Sequence, residues 1–97
     1  MTSLNLIKER IRTIKPVLMS KYGIGKLYIF GSYAREEQSD KSDIDLLVDF
    51  EKVPDLLTFI EMEEYLSRQL HKKVDLVPRR KLKTQIREKV LKEAIAI

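Results

Sequence analysis

The chain has 97 residues, 43% hydrophobic and 35% charged, with no cysteine, which excludes disulfides and cysteine-based zinc sites. No apolar run approaches the roughly 20 residues of a membrane span, and the N-terminus lacks the apolar core of a signal peptide. One soluble, cytoplasmic domain spanning residues 1–97, with no membrane association, is therefore expected.

The net charge of +4 is unevenly spread: residues 1–70 carry 10 Lys/Arg against 12 Asp/Glu, and residues 71–97 carry 9 against 3. A basic tail suits nucleic acid, nucleotide phosphates or an acidic protein partner, although a solvated Lys-rich helix face is the simpler expectation.

Leu4, Ile7, Ile11, Ile14 and Leu18 recur at helical spacing and predict an amphipathic N-terminal helix. Pro16 falls within it, which predicts a kink or a second short helix starting there. Gly23 and Gly25 mark its exit. Residues 26–30 (KLYIF) are short, apolar and rich in strand formers, hence a first strand. A polar stretch with local helical potential follows, from Ser32 to about Glu37. In residues 43–50 (DIDLLVDF), Asp43, Asp45, Leu47 and Asp49 alternate with Ile44, Leu46, Val48 and Phe50, the pattern of a strand with one apolar face. Pro54 and Asp55 then open a helix to about Leu70, with Leu56, Phe59, Ile60, Leu66 and Leu70 expected on its buried side. Residues 73–77 (KVDLV) make a third strand, stopped by Pro78. Leu82, Ile86, Val90 and Ala94 indicate a last helix, followed by the apolar end Ile95, Ala96, Ile97.

This order predicts an α/β (α+β) fold: a small mixed sheet of three or more strands flanked by helices. The second and third strands are joined by a helix and should be parallel. Only twelve residues, 31–42, separate the first and second strands, too few for a crossover carrying a full helix. That pair should be antiparallel.

Such a topology gathers chemistry at one sheet edge. The end of the first strand, Gly31 and Ser32, would lie beside Asp43 and Asp45 at the start of the second. Asp75 would stand at the matching position of the third. Asp43 and Asp45 point to one face with Cα atoms about 6.5–7 Å apart, where like charges repel unless a cation lies between them. Mg²⁺ takes hard oxygen ligands, usually one or two carboxylates plus phosphate oxygens, and two such ions would clamp an in-line phosphoryl displacement. Gly31 would let the backbone approach a phosphate, and Ser32 offers a hydroxyl and an N–H that could open a short helix facing the anion. Arg35 is a candidate to steady phosphate, or to pair with Glu36 or Asp40. Each piece alone is weak, since a lone Asp-x-Asp is more often a solvated face; jointly they point to nucleotidyl transfer.

Residues 30–50, FGSYAREEQSDKSDIDLLVDF, resemble the signature of the minimal nucleotidyltransferases of the DNA polymerase β superfamily: Gly-Ser, ten residues, then Asp-x-Asp. The likeness continues through residues 73–77 to the Arg/Lys-rich last helix. It implies the polymerase β-like nucleotidyltransferase fold, with Asp43, Asp45 and Asp75 as a catalytic, metal-binding triad for Mg²⁺, two ions being expected. By the same resemblance Gly31 and Ser32 hold the phosphates of ATP. Members of this length pair with HEPN-domain proteins in toxin–antitoxin systems, where the nucleotidyltransferase resembles an antitoxin that adenylylates a tyrosine of the HEPN ribonuclease. One departure is Glu36, where many relatives carry glycine after the Ala-Arg pair. A residue there is strained if φ is positive and harmless if it begins a helix.

Other candidates carry less. His71, the only histidine, reads as a helix-end residue. Arg79, Arg80 and Lys81 could touch a triphosphate or a partner, but equally form a solvated loop. Tyr33, beside Ser32, is a candidate for stacking near a nucleotide. The four tyrosines are too scattered for a base-stacking platform, and pure nucleic-acid binding, a weaker fourth option, rests only on the basic tail.

Three functional classes remain: AMP transfer to a HEPN partner, the same chemistry on a small molecule or nucleic-acid end, and non-catalytic antitoxin action by steric binding. At this length the acceptor is expected to be brought by another chain. Apolar ends and a small core make a homo- or hetero-oligomer the expectation.

Overall fold

The computed structural model describes residues 3–97. Helix α1 runs Leu4–Tyr22, its first turn capped by Ser3, whose hydroxyl accepts from Leu6 N–H at 3.2 Å. It is one helix with Pro16 inside it, not two. The proline removes the donor that Arg12 C=O would use, but Arg12 and Pro16 are both exposed, so water can take that carbonyl. Gly23, at φ 69°, ends the helix in the left-handed conformation.

Strand β1 spans Ile24–Phe30, starting two residues before the expected boundary, with a register irregularity between Ile24 and Lys26. Strand β2 (Ile44–Phe50) pairs antiparallel to β1. Helix α2 (Leu56–Leu70) then crosses over to β3 (Val74–Pro78), which lies parallel to β2. Both pairings match the expectation from connection length. Helix α3 covers Thr84–Glu93, and the apolar end forms a fourth strand, β4 (Ile95–Ala96), antiparallel to β1. The mixed sheet has the order β3-β2-β1-β4.

The two faces of the sheet bury different partners. Ile44, Leu46 and Val48 of β2 join Leu27, Ile29, Val74 and Leu76 in the main core against α1 and α2. On the other face Leu47 is fully buried with Leu82 and Val90, flanked by Tyr28, Phe30 and Val77. Leu47 thus departs from the alternation that put it with the acids: α3 covers the middle of that face and leaves its edge open. On α2 the buried residues are Met62, Leu66 and Leu70, whereas Leu56 (72%) and Ile60 (41%) are exposed and Phe59 is half-buried. Phe59 packs on the main core with its ring 6.2 Å from that of Phe50, so only part of the apolar spacing in this stretch reports core contact. Ile86, at 47% exposure, likewise faces solvent on α3, and Leu82 packs from just ahead of that helix. Among the described residues, no helix is long and apolar enough to cross a membrane.

Among the described residues, two non-glycine residues take the left-handed conformation, Glu36 (φ 56°) and His71 (φ 54°). His71 closes α2, in keeping with the helix-end reading, and the N–H groups of His71 and Lys72 both turn back to Ser67 C=O. At Glu36, N–H of Glu37 bonds Ser32 C=O at 2.9 Å and N–H of Glu36 bonds Tyr33 C=O at 3.2 Å, the paired bonds of a Schellman turn. An L-residue there carries a steric cost that glycine avoids. Glu36→Gly should therefore raise stability by about 1 kcal/mol after the added freedom of the unfolded chain is set against the relief. Urea unfolding should show a higher midpoint at unchanged slope; a lower midpoint would contradict the strain.

Candidate active site

Gly31 follows the last residue of β1 with φ 75°, and the pairing of Phe30 with Asp45 brings it against the Asp45 side chain. A Cβ at Gly31 would land on Asp45 Oδ2 and sit 3.1 Å from its Cγ. Glycine is thus required twice over, for the backbone angle and for the approach of the carboxylate.

The segment after Gly31 is a run of turns over residues 31–36, not the short helix expected from Ser32. Arg35 N–H bonds Gly31 C=O at 3.2 Å, and the left-handed Glu36 stops any continuation. Ser32 is half-buried at the edge, while Tyr33 is only 1% exposed and belongs to the main core. That burial removes Tyr33 as a stacking residue.

The loop leading to β2 is tied down by a residue that sequence reasoning did not single out. Lys72 Nζ donates to the carbonyls of Asp40 (2.8 Å) and Ser42 (2.9 Å), while Ser42 Oγ accepts from Ser39 N–H at 2.9 Å. Asp43 therefore arrives at a fixed place, one residue ahead of the strand. Its carboxylate stands 3.9 Å from Lys73 Nζ, with the two side chains 40% and 73% exposed, so solvent screens the pair and it is worth little.

Asp45 and Asp75 are direct partners in the parallel β2–β3 register. Asp45 is half-buried and Asp75 exposed. The Asp45 carboxyl titrates above its ordinary value, first because of burial, then because of the negative charges of Asp75, Asp43 and Glu93; the Arg35 guanidinium opposes the shift. Among the described residues, no three metal-ligating side chains close into a ready-made cage. The donor set is nonetheless of the kind that fits a hard divalent cation completed by substrate phosphates, because the negative charge crowded around Asp45 is relieved by a cation.

Glu93, the last residue of α3, is the site residue that sequence reasoning missed. Its Oε1 accepts from Gly31 N–H at 3.0 Å and from Arg35 Nη1 at 3.1 Å, while Arg35 Nε donates to Glu37 Oε2 at 3.2 Å. Arg35 therefore pairs with Glu37 and Glu93, not with Glu36 or Asp40. A signal existed in the apolar residues Ile95 and Ile97, which alternate like a strand: an edge strand there would have carried residue 93 to the sheet edge. Arg79, Arg80 and Lys81 form a 3₁₀ turn after the far end of β3, roughly 13 Å along the strand from Asp75 at about 3.3 Å per residue. Arg79 meets Asp49 there at 3.4 Å. A groove of about 270 Å³ lined by Phe50, Leu56, Phe59 and Arg80 also lies at that end, and none of Gly31, Asp43, Asp45 or Asp75 lines it.

The sequence profile of the family described as Polymerase beta, Nucleotidyltransferase matches residues 12–97. The chain belongs to this nucleotidyltransferase family. It is 42% identical over 97 residues to the protein adenylyltransferase MntA of Thermococcus cleftensis, covering all of this chain and 98% of that relative. A solved structure provisionally assigned as a minimal nucleotidyltransferase superposes with a TM-score of 0.84 at 35% identity, over 99% of this chain and 97% of the other. A toxin–antitoxin complex with AMP-PNP contains a chain that matches with a TM-score of 0.71 at 27% identity, over 98% of this chain and 72% of that one. The mixed sheet with helices on both faces is thus the nucleotidyltransferase fold, and the protein is an enzyme of that class. Within this nucleotidyltransferase, the edge where β1 ends and β2 and β3 begin brings Gly31, Asp45, Asp75, Arg35 and Glu93 together.

Proposed function

We propose that this nucleotidyltransferase moves AMP from ATP to a protein acceptor, a tyrosine of a HEPN ribonuclease toxin, and thereby acts as its antitoxin. The observation that carries the reading is the register: Asp45 lies directly opposite Asp75, with Gly31 packed against the Asp45 carboxylate. The likeness to a protein adenylyltransferase over the whole chain, and to a chain in a toxin–antitoxin complex with AMP-PNP, supports the substrate and the partner. Asp43, Asp45 and Asp75 hold Mg²⁺. When bound, the ion supplies charge stabilisation for the transferring phosphoryl group and a template for in-line displacement.

The chain's own residues divide the remaining work. Ser32, on the turn after Gly31, presents its hydroxyl to the β- and γ-phosphates, and Arg35 adds a planar cation suited to phosphate oxygens. Asp75, the exposed member of the acid pair, is the carboxylate we assign to take the tyrosine proton. A tyrosine of ordinary pKa about 10 needs such help near neutral pH.

The test is transfer of label from α-³²P-ATP with Mg²⁺ to a purified HEPN protein encoded beside this chain. Label on a toxin tyrosine, lost in the Asp43→Ala/Asp45→Ala double variant, is the expected result. No label from the wild type would count against AMP transfer. Full neutralisation of the toxin by the double variant would point to steric action instead.

A further inference from the structure

Glu93 makes more bonds at this edge than a helix-end carboxylate needs. Its side chain is only 19% exposed, and its two oxygens receive Gly31 N–H at 3.0 Å and Arg35 Nη1 at 3.1 and 3.2 Å. Its place follows from the last strand. Ile95 pairs with Ile29 in antiparallel register, and continuing that register by two residues sets position 93 opposite position 31. The strand is held in turn by Ile97 N–H on Leu27 C=O at 3.0 Å and by Lys15 Nζ on Ile97 C=O at 2.7 Å. With Nη1 held by Glu93 and Nε by Glu37, the Nη2 group of Arg35 has no protein partner among the described residues.

We propose that Glu93 is a positioning residue for the nucleotide: it fixes the turn at Gly31 and aims the uncommitted N–H groups of Arg35 at the triphosphate. The inference rests on the nucleotidyl-transfer reading above. An arginine 42% exposed would otherwise sample many rotamers, and ordering it before the ligand arrives removes that entropy from the binding step. The carboxylate touches no substrate atom and acts through Gly31 and Arg35.

The experiment titrates the full chain with Mg²⁺ and AMP-PNP by calorimetry, for wild type, Glu93→Ala, Glu93→Gln, Arg35→Ala and the Glu93→Ala/Arg35→Ala double variant. Glu93→Ala should weaken binding on the order of tenfold, the scale typical of losing a group that orients a ligand-binding side chain. Glu93→Gln, which keeps an acceptor for Gly31 N–H but loses the charge, should fall between the two. The losses from Glu93→Ala and Arg35→Ala should be less than additive in the double variant, because Glu93 acts in part through Arg35. Glu88→Gln, an equal loss of charge on the exposed side of α3, should leave binding unchanged. Should Glu93→Ala not fold, Glu93→Gln carries the test, with a several-fold loss expected. Binding by the Glu93 variants as tight as wild type or tighter, or additive effects in the double variant, would overturn the proposal. Absence of saturable binding by the wild type would instead sink the nucleotidyl-transfer reading, and the role of Glu93 with it.

Discussion

Asp45→Asn is expected to lower AMP transfer by on the order of 10²-fold or more, the scale for losing one group that stabilises transition-state charge. The same change should make the ligand-free protein more stable at neutral pH. Both effects come from one carboxylate. Asp45 is pressed by burial and by Asp75, Asp43 and Glu93, so its folded pKa lies above the ordinary 3.8. A carboxyl whose folded pKa is raised contributes stability that is fully present below the unfolded pKa and lost as pH rises through the folded value. Wild type therefore gives up stability between acid and neutral pH, and asparagine, which does not ionise, gives up none. Urea unfolding should show the variant ahead at pH 7 and the gap closing toward the ordinary carboxylate range. Mg²⁺ should raise the melting temperature of the wild type and much less that of the variant. Near wild-type turnover, or a stability difference that ignores pH, would remove Asp45 from the role assigned to it.

Gly31→Ala should be the most damaging single methyl in the site. The backbone there has φ 75°, which an L-residue takes at a cost of about 1–2 kcal/mol. The added Cβ would also occupy the space of Asp45 Oδ2, and the register of Phe30 with Asp45 prevents the strands from parting. The carboxylate must swing aside, and a displacement of about 1 Å can cost on the order of 10²-fold in rate. Gly23→Ala is the matched comparison. It has nearly the same φ, 69°, and its Cβ would meet Lys52 C=O at 3.0 Å, away from the acids. Both variants should lose comparable stability in urea unfolding, and only Gly31→Ala should lose AMP transfer. Equal transfer by the two would show that contact with Asp45 is irrelevant to the chemistry.

Much of this was legible in the chain because it follows from local periodicity and connection length. The alternation in residues 43–50 placed Asp45 opposite the main core, and twelve residues between the first two strands forced an antiparallel return. A helix between the second and third strands made them parallel, and the matching positions of Asp45 and Asp75 follow. What failed was burial judged from spacing alone. Leu56 and Ile60 have helical spacing yet face solvent, while Phe59 between them packs on the main core. Leu47 sits in the acidic register yet is buried, because α3 lies across it. Pro16 did not break α1, because its unpaired carbonyl partner is on the wet side.

The chain by itself determined the sheet, the direction of its first three strands and the carboxylates at their shared edge, since these depend on residues close in sequence and on the period of two. Tertiary structure alone decided that Glu93 reaches Gly31 and Arg35 across about sixty positions of chain. The physical reason is a two-residue edge strand whose long-range pairing with β1 sets the end of α3 beside the turn that opens the site.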